Sequence, residues 1–208
     1  MKLKIILPFL LLFSVFSPVI AQSDFQTEWI IDIQKSGEAQ ITIKISIPVS
    51  SQEEWNQISS SLDESAFISY QQLISEVVES ASQRTGRAMQ VHSWSVEKDF
   101  LGDHGEIKIS FVWENFCTLE NGKLNLSDVL DDLYIPEGYI LKIRTPEGMS
   151  FSDIQPSPDV LEGNTAIYFG PKTMNIQATI IETRESPGFE LLSLLVAVFI
   201  VFYILRRN

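Results

Sequence analysis

Cysteine and histidine are nearly absent: one cysteine, Cys117, and two histidines, His92 and His104, in 208 residues. A single thiol forbids an internal disulfide. Its neighbours in FVWENFC are mostly apolar, so Cys117 reads as a small buried hydrophobe rather than a nucleophile. No G-x-S-x-G elbow frames any serine, and a serine nucleophile needs a histidine base with an acid behind it, which disfavours a hydrolase. Positive charge is scarce as well, with 15 Lys and Arg against 27 Asp and Glu. Setting aside Lys2, Lys4, Arg206, Arg207 and Glu190 at the two ends leaves 11 basic and 26 acidic side chains, a formal charge of −15. That balance repels phosphate backbones and argues against nucleic-acid binding. It suits an exported domain kept soluble by its surface, with cations as its counter-ions. No internal repeat and no low-complexity linker divides residues 22–186, so one domain is expected.

What is present in quantity is apolar sequence at both ends. Lys2 and Lys4 precede a run from Ile5 to Phe16, and the stretch closes with Pro18, Val19, Ile20 and Ala21. A charged start, a short apolar core and a small residue at the cut describe a signal peptide, residues 1–21, cleaved after Ala21. Pro8 and Pro18 bracket too few apolar residues to cross a hydrocarbon core of ~30 Å. The run Leu191 to Leu205 is interrupted only by Ser193 and is followed by Arg206 and Arg207. At ~1.5 Å per residue it makes a short span, completed by Phe189 and by the arginines snorkelling to the interface. A signal peptide sends the chain outward, and the paired arginines stay inside. The expected topology is therefore N-terminus out and C-terminus in, with the domain on the outer face of the membrane.

Pro187-Gly188-Phe189, the apolar run and the paired arginines, Arg206 and Arg207, stand in the order of a tripartite sorting signal, residues 187–207. This resembles the C-terminal signal of archaeal surface proteins that is read by archaeosortase A. The resemblance implies cleavage near Pro187 and a lipid in place of the helix, so its implied partners are the lipid membrane and an archaeosortase-type processing peptidase. The usual stalk is missing, because the strand-like segment Met174 to Thr183 runs almost to the tripeptide. The other reading of the same residues is a retained anchor in which Pro187-Gly188 breaks the chain before a helix.

Between these signals the hydrophobic pattern has a period of two. AQITIKISIPV places Ile41, Ile43, Ile45, Ile47 and Val49 on one face, and FQTEWIIDI does the same with Phe25, Trp29, Ile31 and Ile33. Lys35 to Glu38 supplies a turn, so the two predict a hairpin. Ser51-x-x-Glu54 and Ser61-x-x-Glu64 are capping boxes, and Phe67, Tyr70, Ile74, Val77 or Val78 and Ala81 recur at helical spacing up to Gly86. A helical insertion over about 51–84, one short helix and one longer, follows. RAMQVHSWSV loses step between Val91 and Trp94, which a β-bulge at His92-Ser93 repairs. EIKISFVWENF points Ile107, Ile109, Phe111 and Trp113 inward and closes a second hairpin. TLENGKLNLSD reads as a loop with a tight turn at Asn121-Gly122. Further strands are predicted in YILKIRTP (Tyr139, Leu141, Ile143), TAIYFGP and MNIQATII (Met174, Ile176, Ala178, Ile180). The expected fold is mainly β within the α+β range, an antiparallel β-sandwich of six to eight strands with a helical insertion. In outline GRAMQV, SFVWENF and YFGP resemble an uncharacterised class of archaeal membrane-anchored ectodomains, a resemblance that implies no site.

Few constellations carry chemistry. Asp99, Asp103, His104 and Glu106 in KDFLGDHGE are the best metal candidates, yet they lack the alternating spacing of a calcium loop and sit at a hairpin tip. His92 and His104 lie on strands that read as paired. Asp128, Asp131 and Asp132 form an acidic knot beside Tyr134, and Asn125-Leu126-Ser127 is an N-glycosylation sequon in a polar loop. No catalytic residue, cofactor or metal is expected. The leading function is a non-catalytic surface module binding an envelope protein, a glycan or a cation. The alternatives are an extracytoplasmic metal-binding protein or hydrolase, and a sensor or assembly subunit that acts through a partner chain.

Overall fold

The computed structural model describes residues 26–61, 64–126 and 129–183. The residues expected to form a signal peptide cut after Ala21 and a sorting signal with Pro187, Gly188, Phe189, Arg206 and Arg207 lie outside the described residues. Among those described, no helix is long and apolar enough to cross a membrane.

Alternation builds the centre. Strands β1 (Gln26–Ile33) and β2 (Ala39–Pro48) form the predicted hairpin, and β2 then pairs along its whole length with β4 (His104–Glu114). Every second side chain turns inward: Trp29, Ile31 and Ile33; Ile41, Ile43, Ile45 and Ile47; Ile107, Ile109, Phe111 and Trp113. Strand β3 (Gln90–Phe100) pairs with β4, and their register slips between His92 and Ser95, where Ser93 takes a φ of 56°. The bulge falls where the lost step in the sequence placed it. Its effect is to bring Trp94 back over the inner face, stacked on Phe111 at 4.4 Å.

On the other side of β1 lies β8 (Tyr139–Arg144), then β11 (Thr165–Phe169) and the short β10 (Val160–Glu162), completing a seven-stranded sheet in the order β10-β11-β8-β1-β2-β4-β3. The β1–β8 pair is parallel. This corrects the expectation of a purely antiparallel arrangement. Alternation tells which face a side chain joins but not which way its neighbour runs, and β8 reaches β1 only after a long excursion of the chain.

That excursion supplies part of the inner cover. It contains β5 (Thr118–Glu120), β6 (Lys123–Asn125) and β7 (Leu133–Ile135); after β8 come β9 (Met149–Gln155), β12 (Lys172–Met174) and β13 (Gln177–Glu182). They pair as a four-stranded sheet, β5-β6-β13-β9, and a two-stranded ladder, β12-β7. Thirteen strands among the described residues therefore exceed the six to eight expected. The surplus consists largely of three-residue strands, too short to show a period. The stretch after Cys117, read as a loop, is a β5–β6 hairpin whose Asn121 and Gly122 both take positive φ, the conformation that favours Asn-Gly turns.

Two helices, α1 (Gln52–Ser61) and α2 (Glu64–Thr85), confirm the insertion. The Ser51 hydroxyl accepts the Glu54 amide at 3.2 Å, while the Glu54 carboxylate accepts the amide of Ser50. Ser61 of the second box is the last residue of α1, and its hydroxyl donates back to the Ile58 carbonyl at 2.6 Å; the Glu64 side chain lies outside what the structure describes. Gly86, at φ 71°, ends α2 as predicted. Phe67 and Tyr70 of α2 meet Trp94 edge-on at 6.0 and 6.3 Å, and Ile74 and Val78 continue the same buried stripe. Helix α1 docks differently. A side chain on Gly105 would begin 2.0 Å from the Trp55 ring, so the tryptophan lies directly on the strand backbone.

We predict that Gly105→Val, which must displace Trp55, lowers stability by about 1–3 kcal/mol and releases α1. Urea unfolding of the wild-type and variant chains measures it, and equal midpoints would show that Trp55 does not hold the helix.

Candidate functional site

With the inner face covered, the outer face of the seven-stranded sheet is where polar side chains gather. Alternation places Glu28 and Asp32 of β1, Lys44 of β2, Glu106 and Lys108 of β4, and Lys142 and Arg144 of β8 on this face. They form cross-strand ion pairs: Lys142 with Glu28 at 3.1 Å, Arg144 with Asp32 at 3.2 Å, and Lys44 and Lys108 with Glu106 at 2.5 and 2.9 Å. Four cations of a strongly acidic chain thus share one surface.

Glu106 is only 4 % exposed. Burial pushes its pKa up, but the hydrogen bonds and charges of Lys44 and Lys108 outweigh this and hold it below the ordinary carboxylate range. Lys108 is raised in turn, chiefly by its hydrogen bond to Glu106. Of the metal candidates, Glu106 is thereby committed to two ammonium groups. Asp99 pairs across the strands with Glu106, and His104 Nδ1 contacts Asp103 at 2.6 Å in the turn. Among the described residues no three His, Cys, Asp or Glu side chains gather as a metal site.

The two histidines occupy opposite ends of the β3–β4 hairpin, His92 beside Val112 and His104 beside Pro48. At the bulge His92 Nε2 lies 3.0 Å from Glu114 and Nδ1 lies 2.8 Å from the Ser93 hydroxyl, with Gln90 donating to the same carboxylate. A serine, a histidine and a carboxylate meet, on an exposed strand edge that lines neither cavity described below. The contacts tie down the positive φ of Ser93. Asn125, read as a loop residue, sits on β6 with its oxygen accepting the Thr179 hydroxyl at 3.2 Å. Asp132 takes a positive φ and its amide binds Asn175, while Asp128 lies outside the described residues. Cys117 is buried, its amide bonded to the Gly37 carbonyl.

Two cavities stand out. One, of about 50 Å³, is lined almost wholly by apolar side chains between the inner face and α2, including Ile41, Phe111, Ile74 and Leu130. The other is an open polar groove of about 840 Å³ at one end of the sheet. Asp32, Gln34 and Lys35 enter it from the end of β1, Gln40 from the start of β2, and Arg144 to Gly148 from the β8–β9 turn. Asn164 closes one side, exchanging backbone and side-chain bonds with Thr145. Thr145 is itself locked by its hydroxyl bond to the Met149 carbonyl at 2.8 Å. Sequence reasoning did not find this groove, because its residues come from three separate turns and share no motif.

The fold and groove define a mainly β domain with a helical insertion against one sheet face, a charged opposite face and a polar groove at one end. The chain belongs to the family described as Domain of unknown function (DUF7345), which matches residues 30–149. No curated protein matches the chain.

A carboxylate with a lowered pKa stabilises the fold fully above its unfolded value and loses that contribution as pH falls through the folded one. Stability is therefore expected to drop as the pH is taken below the ordinary carboxylate range, and Glu106→Gln to flatten that drop. Urea midpoints against pH measure the effect; an unchanged acid limb in the variant would remove Glu106 from it.

Proposed function

We propose that the protein is a non-catalytic surface domain, exported by its signal peptide and held at the outer face of the membrane by its C-terminus. Its two β layers form a sandwich, with the charged sheet face and the end groove turned to partners. The observation that carries this reading is the position of the last strand. β13 ends at Glu182, and the next amide, Thr183, bonds to the Gly148 carbonyl at 2.8 Å. Only the four residues 184–187 then separate the folded chain from Gly188 of the sorting tripeptide. Resemblance to the signal read by archaeosortase A supports a lipid anchor made by an archaeosortase-type peptidase, and the paired arginines support the outward orientation. The net charge supports recognition of an envelope protein, a glycan or a cation over nucleic acid.

Intact cells treated with a membrane-impermeant amine reagent test this address. The protein should be labelled on Lys108 and Lys123, and should remain with the membranes through an alkaline wash. Labelling that appears only after lysis would rule out the surface location.

A further inference from the structure

The groove has a definite place relative to the chain's exit. Gly148 lines it, and the Gly148 carbonyl is the group to which Thr183 is bonded. Four residues, even fully extended, reach at most ~14 Å. If the C-terminus is anchored as proposed above, on which this inference rests, the β8–β9 turn is held within that distance of the tripeptide at the membrane surface. Gln26, Pro48 and His104 are at the opposite end of the sheet, as the register of β1, β2 and β4 requires. The groove is thus at the membrane end of the domain.

Its charges define what it takes. Lys35, whose ammonium lies 3.8 Å from where a Gly148 side chain would begin, makes no ion pair among the described residues. Arg144 uses Nη1 on Asp32. Two carboxylates, Asp32 and Glu147, stand beside the two cations. The Gln34 and Gln40 side-chain nitrogens already donate to backbone carbonyls, of Asp32 and Phe111, which leaves their oxygens as acceptors. A bare metal ion would meet two cations here, and bare phosphate would meet two carboxylates. A phosphodiester carrying a polyol satisfies both sets: its phosphate faces Lys35 and Arg144, and its hydroxyls donate to the carboxylates and amide oxygens. We propose that the groove binds the polyol-phosphate headgroup of a membrane lipid and so sets the domain's orientation on the bilayer.

The test uses the full chain reconstituted in vesicles of phosphatidylcholine with or without phosphatidylglycerol. The readout is the rate of Lys35 acylation by a membrane-impermeant reagent, measured by peptide mass mapping against Lys108 on the open sheet face. Phosphatidylglycerol should slow Lys35 acylation several-fold relative to Lys108, and Arg144→Gln should abolish that protection while leaving the Lys108 rate unchanged. Equal Lys35 rates in the two vesicle types, with the protein still bound to both, would overturn the headgroup site but not the anchor. Protein that fails to remain with either vesicle would overturn the anchored reading itself. A third arm adds glycerol 1-phosphate to the detergent-solubilised chain; protection there without protection in vesicles would assign the groove to a soluble polyol phosphate and overturn the lipid source.

Discussion

Everything in this fold follows from one constraint: the central strands are apolar on one face only, and that face is too large to leave in water. The isoleucines of β2 lie between the inward residues of β1 and β4, so burying any one strand commits its neighbours. At ~25 cal/mol per Å² of apolar surface removed from water, such a face contributes to folding only when it is buried, so the remaining chain must cover it. Helices α1 and α2 contact β3, while Leu124, Ile135, Met174, Ile176 and Ile180 of the short-strand layers join the same core. The covering elements are built differently because they answer different local geometry. Trp55 needs a bare strand backbone at Gly105, and Phe67 and Tyr70 need the re-aimed Trp94.

Covering one face leaves the other free to be polar. In that setting Glu106 can be buried without an apolar environment, because Lys44 and Lys108 flank it on neighbouring positions of the ladder. Elsewhere the same economy recurs: Asp159 is held below its usual range by the Lys172 ammonium and by the Phe169 amide. Tyr168, by contrast, sits in the core and its phenol is pushed up to about 12, first by burial and then by Asp159. These pairs order the sheet edge near β10–β12 and do not converge on a reacting centre.

The long central strands were legible because eight to eleven residues of strict alternation admit one reading. The bulge was legible for the same reason: a single lost step between Val91 and Trp94 has a single repair. Three-residue strands such as β5 to β7 carry no period, so their pairing depends on the surface they cover and not on their own residues. The parallel contact between β1 and β8 was hidden because direction leaves no mark on alternation. The groove was hidden for a related reason. Lys35, Arg144 and Asn164 belong to three turns that only the sheet order brings together. The bonded pair Thr183 and Gly148, which ties that groove to the chain's exit, joins residues with no chemical signature.

The claim on which the functional account rests is that a folded domain is delivered outside the cell and tied down at its groove end. Intact mass spectrometry of the protein from its native membrane, with both termini mapped, tests this most directly. The account predicts a chain that begins at Gln22 and ends near Ser186 or Pro187 with added lipid mass. A chain that still begins at Met1, ends at Asn208 and carries no lipid would contradict it.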